Sequence, residues 1–551
     1  MNAEGAYLQY IQKDIEWDTI LFATKVNRDG AAIQSFNSHP YLSHPYLKMK
    51  KVWADNFYTI ETAAWLAKAE YIISEIELPP FYMKRKNQIY IQIFNFKEWN
   101  NNIARLLLHA DFIVKQQEHE KLENIRGILN ATILLLENIA STKFKKDPPK
   151  KRSKKNIVMY CGGFKNNGIT SSAINLMKNI NKQKYQIIVV EDENLGFDET
   201  KNLEKVPDDV IKIQTSESLN LFPEEEEAFF QFHDYPLEHL MKHGPTHFLT
   251  PGIKRIYQRE LKRLLGDTKV DVALDFDGYF KHWTLLMASS NAPNKIIFQH
   301  NEMMQEYSKK LNNAYKHRAD LNIVFPLYNY FDRVVSVAKP IEMVNKRDLQ
   351  HIVYDESKMT YVHNSIDYPY ILQSSKLEDE AVIPVDTFNF VTMGRLSPEK
   401  NQQMMIAAFQ KLQEEFPDTN LFIIGSGELE DTLKTYVTEL SLDDKVHFLG
   451  QLDNPFATIA ACDAFLLSSI HEGQPMVLLE CLVLNKPILA TDTPGCAGLL
   501  KGYGLLARND VENFVMGMKE IRTGYKPPKA FDYKAYNQEA IRMLEEILEM
   551  K

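Results

Sequence analysis

The stretch SSIHEGQPMVLLECLVLNKPILATDTPG, residues 468–495, decides the fold class. Apolar residues before it end a predicted strand, Glu472 and Gly473 form a turn, and Pro475 stands where a helix would begin. A helix that begins here presents unpaired backbone N–H groups and the positive end of its dipole, which suits a diphosphate. Glu472 can face a transferred group, and Glu480, about a turn and a half into the helix, can accept hydrogen bonds from ribose hydroxyls. The stretch therefore predicts a strand, a turn and a helix that bind a nucleotide.

Apolar runs typical of strands alternate with segments of helical periodicity on the amino-terminal side of this stretch and within it. The first series comprises IVMYC (157–161), YQIIVVE (185–191), VDVALDF (270–276), KIIFQH (295–300), LNIVF (321–325) and RVVSVA (333–338). The second comprises FNFVTMG (388–394), NLFIIGSG (420–427), KVHFLG (445–450), AFLLSS (464–469) and KPILATD (486–492). Most intervals leave room for a crossover helix, which predicts two parallel-sheet α/β domains with a junction near residues 365–387. Such domains place a ligand cleft at the carboxyl ends of their strands, as suits a transferase.

The composition is that of an ordinary globular chain. Its 551 residues allow three or four domains at roughly 150 residues each. The balance of 64 Lys and Arg against 73 Asp and Glu gives a net charge of −9, which argues against a general nucleic-acid binder. Four cysteines without a CxxC pair exclude a disulfide framework. No secretory signal and no apolar stretch of membrane-spanning length is visible, so a cytoplasmic location is expected.

The residues of 468–495 resemble the family 4 retaining glycosyltransferases of GT-B fold, whose signature is an EGxP turn and a second Glu after seven intervening residues. Upstream, TMGRLSPEKN (392–401) is similar to the family segment in which an Arg and a Lys clamp the donor diphosphate, here Arg395 and Lys400. GSGELED (425–431) and VHFLGQL (446–452) resemble the next two family stretches, and YVHNSID (361–367) resembles the start of the donor domain. The resemblance implies a donor site formed by Arg395, Lys400, Phe448, Leu449, Gly473, Gln474, Pro475, Met476 and Glu480.

The first of the two domains contributes further residues through the same resemblance. YCGGFKNNGITSS (160–172) is a glycine-rich turn between a strand and a helix, and it stands where the family has the loop that approaches the donor phosphates. This implies that Gly163 and Gly168 contact the donor. His300, which ends KIIFQH, resembles the family's cleft histidine that contacts the transferred sugar or the acceptor. The implied catalytic residues are Glu472, His300, Arg395 and Lys400.

The charges predict how the reaction proceeds. Loss of a nucleoside diphosphate develops negative charge on the β-phosphate, and Arg395, Lys400 and the helix N-terminus are placed to stabilise it. Neither a metal nor a cofactor is then expected, and the nucleotide sugar, UDP-linked by the family default, is a co-substrate. The resemblance implies retention of the anomeric configuration. The acceptor attacks from the leaving-group side, the departing phosphate takes its proton, and Glu472 orients the donor sugar.

Other acidic residues have plainer interpretations. Asp275 and Asp277 form a DxD pattern, which elsewhere holds a divalent metal on a diphosphate. A structural or acceptor-side role is favoured here, because the predicted donor domain already has its cations in Arg395 and Lys400. The run Glu224–Glu227 is interpreted as a solvated surface.

The first 142 residues carry a second resemblance. AEGAYLQYIQKDIEWDTILFATK (3–25) and AEYIISEIELPPFYMKRKNQIYIQIFNF (69–96) are similar to the amino-terminal half of CDP-glycerol glycerophosphotransferases of teichoic acid synthesis. In that family the last strand runs into a Trp-His-Gly-Thr turn with a catalytic histidine, where this chain has Phe94, Asn95 and Phe96. Residues 99–142 are predicted to form one or two helices with apolar stripes. The segment is therefore interpreted as a non-catalytic module that docks a polyol-phosphate polymer, a partner subunit or another copy of the chain.

These features predict an α/β module (1–142), a basic linker (143–155), an acceptor-side GT-B domain (156–365), a donor domain (366–530) and a terminal helix that crosses back to the acceptor-side domain (531–551). The linker KFKKDPPKKRSKK is either a solvated tether or a contact with anionic lipid at the inner face of the membrane, worth about 1 kcal/mol per cation. The predicted function is hexosyl or N-acetylhexosaminyl transfer to teichoic acid or a capsular polysaccharide. The sequence leaves open a catalytically silent GT-B partner subunit, a glycerophosphotransferase and a nucleotide-sugar epimerase, and homo-oligomers are compatible with it.

Overall fold

The structure is a computed structural model. It describes residues 154–192, 195–215, 249–266, 268–311, 314–378 and 381–550, five strands nearer the amino terminus, and the single positions Leu66, Leu219, Leu221, Glu225 and Phe229.

The five strands nearest the amino terminus form one parallel sheet in the order β2-β1-β3-β4-β5. They are β1 (Trp17–Thr24), β2 (Lys48–Trp53), β3 (Ala69–Ser74), β4 (Ile89–Asn95) and β5 (Phe112–Gln116). The prediction of helices over residues 99–142 is wrong at β5, where the β-branched residues Ile113 and Val114 pair in register with β4. The rest of that range and the basic run up to residue 153 lie outside the described residues.

The first domain has a seven-stranded parallel sheet in the order β8-β7-β6-β9-β10-β13-β14. Its strands are β6 (Lys155–Tyr160), β7 (Tyr185–Asp192), β8 (Ile211–Thr215), β9 (Val272–Asp275), β10 (Asn294–Gln299), β13 (Arg333–Ser336) and β14 (Met359–Tyr361). The strands β11 (Lys310–Leu311) and β12 (Ala314–Tyr315) form a separate hairpin. The helices of this domain are α1 (Gly168–Asn179), α2 (Phe197–Leu203), α3 (Pro251–Leu265), α4 (Lys281–Ser289), α5 (Met303–Ser308), α6 (Arg318–Leu327) and α7 (Lys339–Leu349).

The second domain has a six-stranded parallel sheet in the order β17-β16-β15-β18-β19-β20. Its strands are β15 (Phe388–Met393), β16 (Thr419–Ile424), β17 (Val446–Gly450), β18 (Ala464–Leu467), β19 (Ile488–Thr491) and β20 (Leu505–Ala507). Its helices are α8 (Tyr368–Ser374), α9 (Gln402–Gln413), α10 (Glu430–Glu439), α11 (Pro455–Ala461), α12 (Met476–Val483), α13 (Pro494–Leu500) and α14 (Val511–Arg522). The predicted pair of parallel-sheet α/β domains is thus confirmed.

The seven-stranded and six-stranded sheets are each buried on both faces, which explains why their strands have continuous apolar runs. Along β6, Ile157 and Met159 enter one hydrophobic core, whereas Val158 and Tyr160 enter the other. Parallel sheets require such cover because helices pack on both faces. The second domain repeats this arrangement with its own two cores.

One predicted strand is a helix. LNIVF (321–325) lies inside α6, whose residues from Ile323 to Leu327 are all buried in the core of the first domain. A short run that is apolar on every side fits a buried strand and a buried helix equally well, so periodicity does not separate the two. The strands β8, β14 and β20 were not among the predicted runs.

The last helix, α15 (Tyr533–Glu549), returns from the second domain to the first. Its residues Leu544, Ile547 and Leu548 are part of a core of the first domain. The Asn294 side-chain amide donates a hydrogen bond to the Ile547 carbonyl at 2.8 Å. The chain therefore crosses between the domains twice. None of the helices in the described part of the chain is both long and apolar enough to cross a lipid bilayer.

Candidate functional site

The two sheets present their carboxyl ends to a common cleft. In each sheet the strand order reverses beside its first strand, between β6 and β9 in the first domain and between β15 and β18 in the second. Loops diverge at such a switch point and leave a crevice for a ligand. The loops after these strands meet their counterparts across the cleft, because Arg395 donates a hydrogen bond to the Asn166 carbonyl at 3.3 Å.

The glycine-rich turn after β6 forms the first-domain wall of the cleft. Gly162 and Gly163 have φ angles of +85° and +78°, which side chains rarely adopt. A Cβ on Gly162 would lie 2.3 Å from the Asp277 carboxylate, so the turn has no room for a side chain there. Gly168 begins α1, and a Cβ at this position would be 3.8 Å from Met476 of α12. The predicted residues Gly163 and Gly168 therefore lie on a close-fitting turn that faces the second domain.

The predicted cations and the predicted acid meet on the second-domain wall. Lys400 Nζ lies 2.5 Å from Glu472 Oε1, and the Ser469 hydroxyl donates a hydrogen bond to the same oxygen at 2.7 Å. Arg395 lies on the same loop as Lys400 and is exposed. The Glu472 carboxylate is held from two sides, because it is bound by a cation and by a hydroxyl. Its second oxygen, Oε2, has no hydrogen bond within the described residues.

Helix α12 begins directly after this acid. Pro475 is its N-cap, and no side chain among the described residues caps its first turn, which also lacks an acidic residue. The preceding residue Gly473 is pressed against the first domain, where a Cβ would lie only 1.7 Å from the His300 carbonyl oxygen. At Gly473 the loop that carries Glu472 therefore meets the loop that carries His300 backbone against backbone.

The His300 ring is half-buried and hydrogen-bonded. Its Nε2 lies 2.5 Å from the Phe276 carbonyl oxygen. A carbonyl only accepts, so Nε2 carries the hydrogen and Nδ1 is left as an acceptor. Burial lowers the pKa of His300 to about 4, although the hydrogen bond to Phe276 opposes this shift. The ring is consequently neutral near pH 7.

Glu480 lies on α12, one turn beyond the start of the helix. The residue is partly buried, and burial raises the pKa of its carboxyl to about 7. No group among the described residues donates a hydrogen bond to this carboxyl. Phe448 and Leu449 lie on β17, where their half-buried side chains pack against opposite cores of the second domain. The structure thus does not bring these two side chains together on one face.

Gln474 joins the site to the two chain crossings. Its Oε1 accepts a hydrogen bond from the Asn364 backbone N–H at 2.8 Å, and its Nε2 donates to the Tyr536 hydroxyl at 3.0 Å. Asn364 precedes the second domain, and Tyr536 lies on α15. The side chain of this predicted donor-binding residue is therefore directed at the two segments in which the chain crosses between the domains.

The two acids of the DxD pattern are buried and accept hydrogen bonds from residues close by in sequence. Asp275 accepts from the Thr284 hydroxyl at 2.5 Å, and Asp277 accepts from the Tyr279 backbone N–H at 3.1 Å. Burial raises the pKa of Asp275 to about 6 and that of Asp277 to about 7. In the described part of the chain, no group of three or more His, Cys, Asp or Glu side chains is arranged to hold a metal ion.

A cluster that sequence reasoning missed lies beside Glu472. His471 lies between Glu302, the N-cap of α5, and Glu306 within α5. Its Nδ1 is 3.6 Å from Glu302 Oε1, and its Nε2 is 3.5 Å from Glu306 Oε1. Burial would raise the pKa of Glu306, but the neighbouring His471 ring and the charge of Lys309 hold it below its usual value. No spacing in the sequence indicates this contact, because its partners come from different domains.

Comparison with known proteins identifies the architecture. Residues 374–538 match the family model of glycosyl transferases group 1. The Anabaena protein HepE, solved in complex with UDP and glucose, is similar with a TM-score of 0.52 and 17% sequence identity, over 71% of this chain and 99% of that one. The fold is GT-B. This confirms the predicted GT-B arrangement of two doubly wound domains that face a cleft.

The curated relatives of this GT-B chain are glycosyltransferases by name. An uncharacterized glycosyltransferase of Methanocaldococcus jannaschii is 30% identical over 207 residues, which cover 37% of this chain and 49% of the relative. The N-acetylgalactosamine-N,N'-diacetylbacillosaminyl-diphospho-undecaprenol 4-alpha-N-acetylgalactosaminyltransferase of Campylobacter jejuni is 35% identical over 196 residues, which cover 35% of this chain and 52% of the relative. The chain therefore spans about half the length of the curated relatives it matches.

Proposed function

We propose that this protein is a retaining glycosyltransferase of family 4 that moves a hexose or an N-acetylhexosamine from a UDP-linked donor to a cell-envelope polymer. The observation that carries the proposal is the Lys400–Glu472 ion pair, 2.5 Å between Nζ and Oε1, beside the start of α12. A diphosphate bound there would meet cations and backbone N–H groups, and the sugar would meet the carboxylate. The match to glycosyl transferases group 1 supports this proposal.

The donor would lie mainly against the second domain. Arg395 and Lys400 would bind its diphosphate, and the Glu480 carboxyl, which lacks a hydrogen-bond donor among the described residues, would accept from the ribose hydroxyls. UDP is the proposed nucleotide because the similar HepE structure contains UDP and glucose. We infer that Phe448 or Leu449 lines the base pocket and that Gly163 and Gly168 approach the phosphates.

The reaction then follows from the charges. The bond between the anomeric carbon and the β-phosphate oxygen breaks, and Arg395, Lys400 and the α12 N-terminus stabilise the negative charge on the phosphate. The acceptor oxygen bonds to the same face of the anomeric carbon and gives its proton to the departing phosphate, so the configuration is retained. The two side-chain cations supply the positive charge, and we propose that no metal is required. His300, neutral near pH 7, would orient a hydroxyl through Nδ1.

The proposed acceptor is teichoic acid or a capsular polysaccharide. The Campylobacter relative acts, by its name, on a glycan carried by diphospho-undecaprenol. The likeness of residues 3–96 to teichoic acid transferases supports a polyol-phosphate polymer as the acceptor. The first domain would hold the acceptor, residues 1–142 would dock the polymer or a partner subunit, and the basic run 143–155 would contact anionic lipid.

A donor panel tests this function. The full chain is incubated with EDTA and UDP-, GDP- and CDP-linked donors, together with teichoic acid, capsular polymer or a polyprenyl-diphosphate glycan. Nucleotide release with a hexose or N-acetylhexosamine mass increment and an α-linkage from an α-linked donor is the expected result. Donor consumption without any increment would indicate an epimerase or hydrolase. A glycerol-phosphate increment from CDP-glycerol would indicate a glycerophosphotransferase, and nucleotide binding without turnover would indicate a catalytically silent partner subunit.

The pKa of Glu480 predicts that nucleotide binding strengthens as pH rises. Burial raises the pKa of the unliganded carboxyl to about 7, so the ionised form that accepts ribose hydrogen bonds is scarce below this pH. We expect the UDP association constant, measured by calorimetry, to rise about tenfold more between pH 6 and pH 8 in the wild type than in Glu480→Gln. Ionisation of the UDP phosphate and of other buried acids affects both proteins alike. Parallel pH curves would contradict the prediction.

A further inference from the structure

Two lysines of the first domain lie beside the cleft without a carboxylate partner. Lys165 lies in the glycine-rich turn and Lys316 follows β12, and both residues are exposed. Neither forms an ion pair within the part of the chain that the structure describes. The neighbouring Lys309 differs, because its Nζ lies 3.3 Å from Glu399 and 3.8 Å from Glu306. Lys165 and Lys316 thus add positive charge that no acidic side chain in the described part of the chain pairs.

The two lysines flank one aromatic wall. Lys165 Nζ lies 4.8 Å from the centre of the Phe280 ring. The adjacent Tyr279 ring lies 4.9 Å from the His317 ring, and His317 follows Lys316 directly in the chain. Burial lowers the pKa of His317 to about 4, so this histidine adds no charge near pH 7. The wall therefore has a lysine near each end and neutral rings between them.

The second domain adds positive charge from across the cleft. Arg395 hydrogen-bonds to the carbonyl of Asn166, the residue after Lys165, at 3.3 Å. Partial desolvation of the ammonium and the positive charges of Lys309 and Arg395 lower the pKa of Lys316, against the opposing charges of Glu306 and Glu399. The nearby acid Asp277 offers Lys165 little compensation, because burial and Asp275 raise its pKa to about 7. The first domain thus adds two cations, Lys165 and Lys316, to the Arg395 and Lys400 that are assigned to the donor diphosphate.

We propose that Lys165 and Lys316 bind a phosphate group of the acceptor, opposite the donor diphosphate, so that the enzyme prefers phosphate-bearing acceptors to neutral glycans. This inference rests on the proposed glycosyl transfer and names the acceptor class for it. Unpaired ammonium groups at the rim of a cleft attract such an anion and form charge-assisted hydrogen bonds with it. The phosphate could be the diphosphate of a lipid-linked glycan or the phosphodiester of a polyol-phosphate polymer.

Calorimetry on UDP-saturated protein tests the inference, since UDP then occupies Arg395 and Lys400. The probes are geranyl diphosphate for the lipid source and a glycerol-phosphate hexamer for the polymer source. We expect one probe to bind and its affinity to fall by about tenfold or more in Lys165→Met and in Lys316→Met. Lys316→Arg should stay within about threefold of the wild type, because it keeps the charge. The control is Lys182→Met. Lys182 pairs with Asp209 and lies just before β7, at the amino-terminal end of that strand and so away from the cleft.

The outcomes separate this inference from the proposed function. Binding of geranyl diphosphate alone assigns the lipid source, and binding of the hexamer alone assigns the polymer. The inference is overturned if neither probe binds, if both lysine variants bind like the wild type, or if they lose UDP affinity instead. Absence of UDP binding by the wild type would sink the proposed function. The probes titrated without UDP would then still decide whether the two lysines hold a phosphate.

Discussion

Replacing Glu472 with Gln is expected to lower kcat by about 10² to 10³-fold while leaving the UDP dissociation constant within about threefold of the wild type. The carboxylate accepts hydrogen bonds from Lys400 and Ser469, which fixes it beside the start of α12. Glutamine keeps the shape but loses the charge that would orient the sugar and hold Lys400. The nucleotide keeps Arg395, Lys400 and the helix N-terminus, so its binding should survive. Steady-state kinetics and UDP calorimetry on the same preparations measure both quantities.

A matched variant shows whether the loss is specific to the site. Glu439 is an exposed carboxylate at the end of α10, and Glu439→Gln removes the same charge from the same domain. We expect its kcat to stay within about twofold of the wild type, as for surface substitutions in general. A Glu472→Gln protein with normal kcat, or one that loses UDP affinity in proportion to rate, would show that this acid is not the orienting group.

Replacing Gly473 with Ala should lower kcat/KM by about 10²-fold or more, because a displacement of about 1 Å at a reacting centre has such a cost. The new Cβ would lie 1.7 Å from the His300 carbonyl oxygen, a distance that no packing tolerates. The flexible end of a side chain could move aside, but here the obstacle is backbone of the opposite domain. The methyl group is therefore expected to hold the cleft open. Small-angle scattering with UDP should show a larger radius of gyration for the variant than for the wild type.

The glycine control for this experiment is Gly252→Ala in the first turn of α3. A Cβ there would have its nearest neighbour, the Thr250 hydroxyl, at an ordinary 3.8 Å. Alanine also suits a helix better than glycine, so this variant should be as active as the wild type and at least as stable. If Gly473→Ala kept full activity and the same scattering profile, the contact between the two loops would not belong to the active arrangement.

The extent to which the site could be predicted depends on where the partners of each residue lie in the chain. The turn at Glu472 and Gly473 depends on neighbours in one short stretch, and so does the N-cap of α12 at Pro475. The sequence therefore predicts their local structure directly. The contact of His471 with Glu306 depends on how two domains meet. Neither the spacing of residues nor their type indicates which side chains of two domains come together, so no sequence pattern predicted this contact.

The fold followed the same division between local and distant determinants. Strands such as β6 and β16 were predictable because burial on both faces makes them short, β-branched apolar runs. LNIVF satisfied the same criterion yet lies in α6, because a helix buried on all sides has the same composition. The side chain of Gln474 was predicted at the donor but hydrogen-bonds to Asn364, which precedes the second domain, and to Tyr536, which the return of α15 brings near.

The return of α15 also has a consequence for how the chain is made. The first domain is synthesised before the second, yet Leu544, Ile547 and Leu548 of its core are synthesised only after the whole of the second domain. We expect the second domain, whose sheet is continuous in sequence, to complete its folding while the first still lacks these side chains. A premature stop shortly before residue 540 would thus damage the first domain, although the second domain lies between them in sequence. The nascent first domain would meanwhile expose an apolar strip of the kind that chaperones bind.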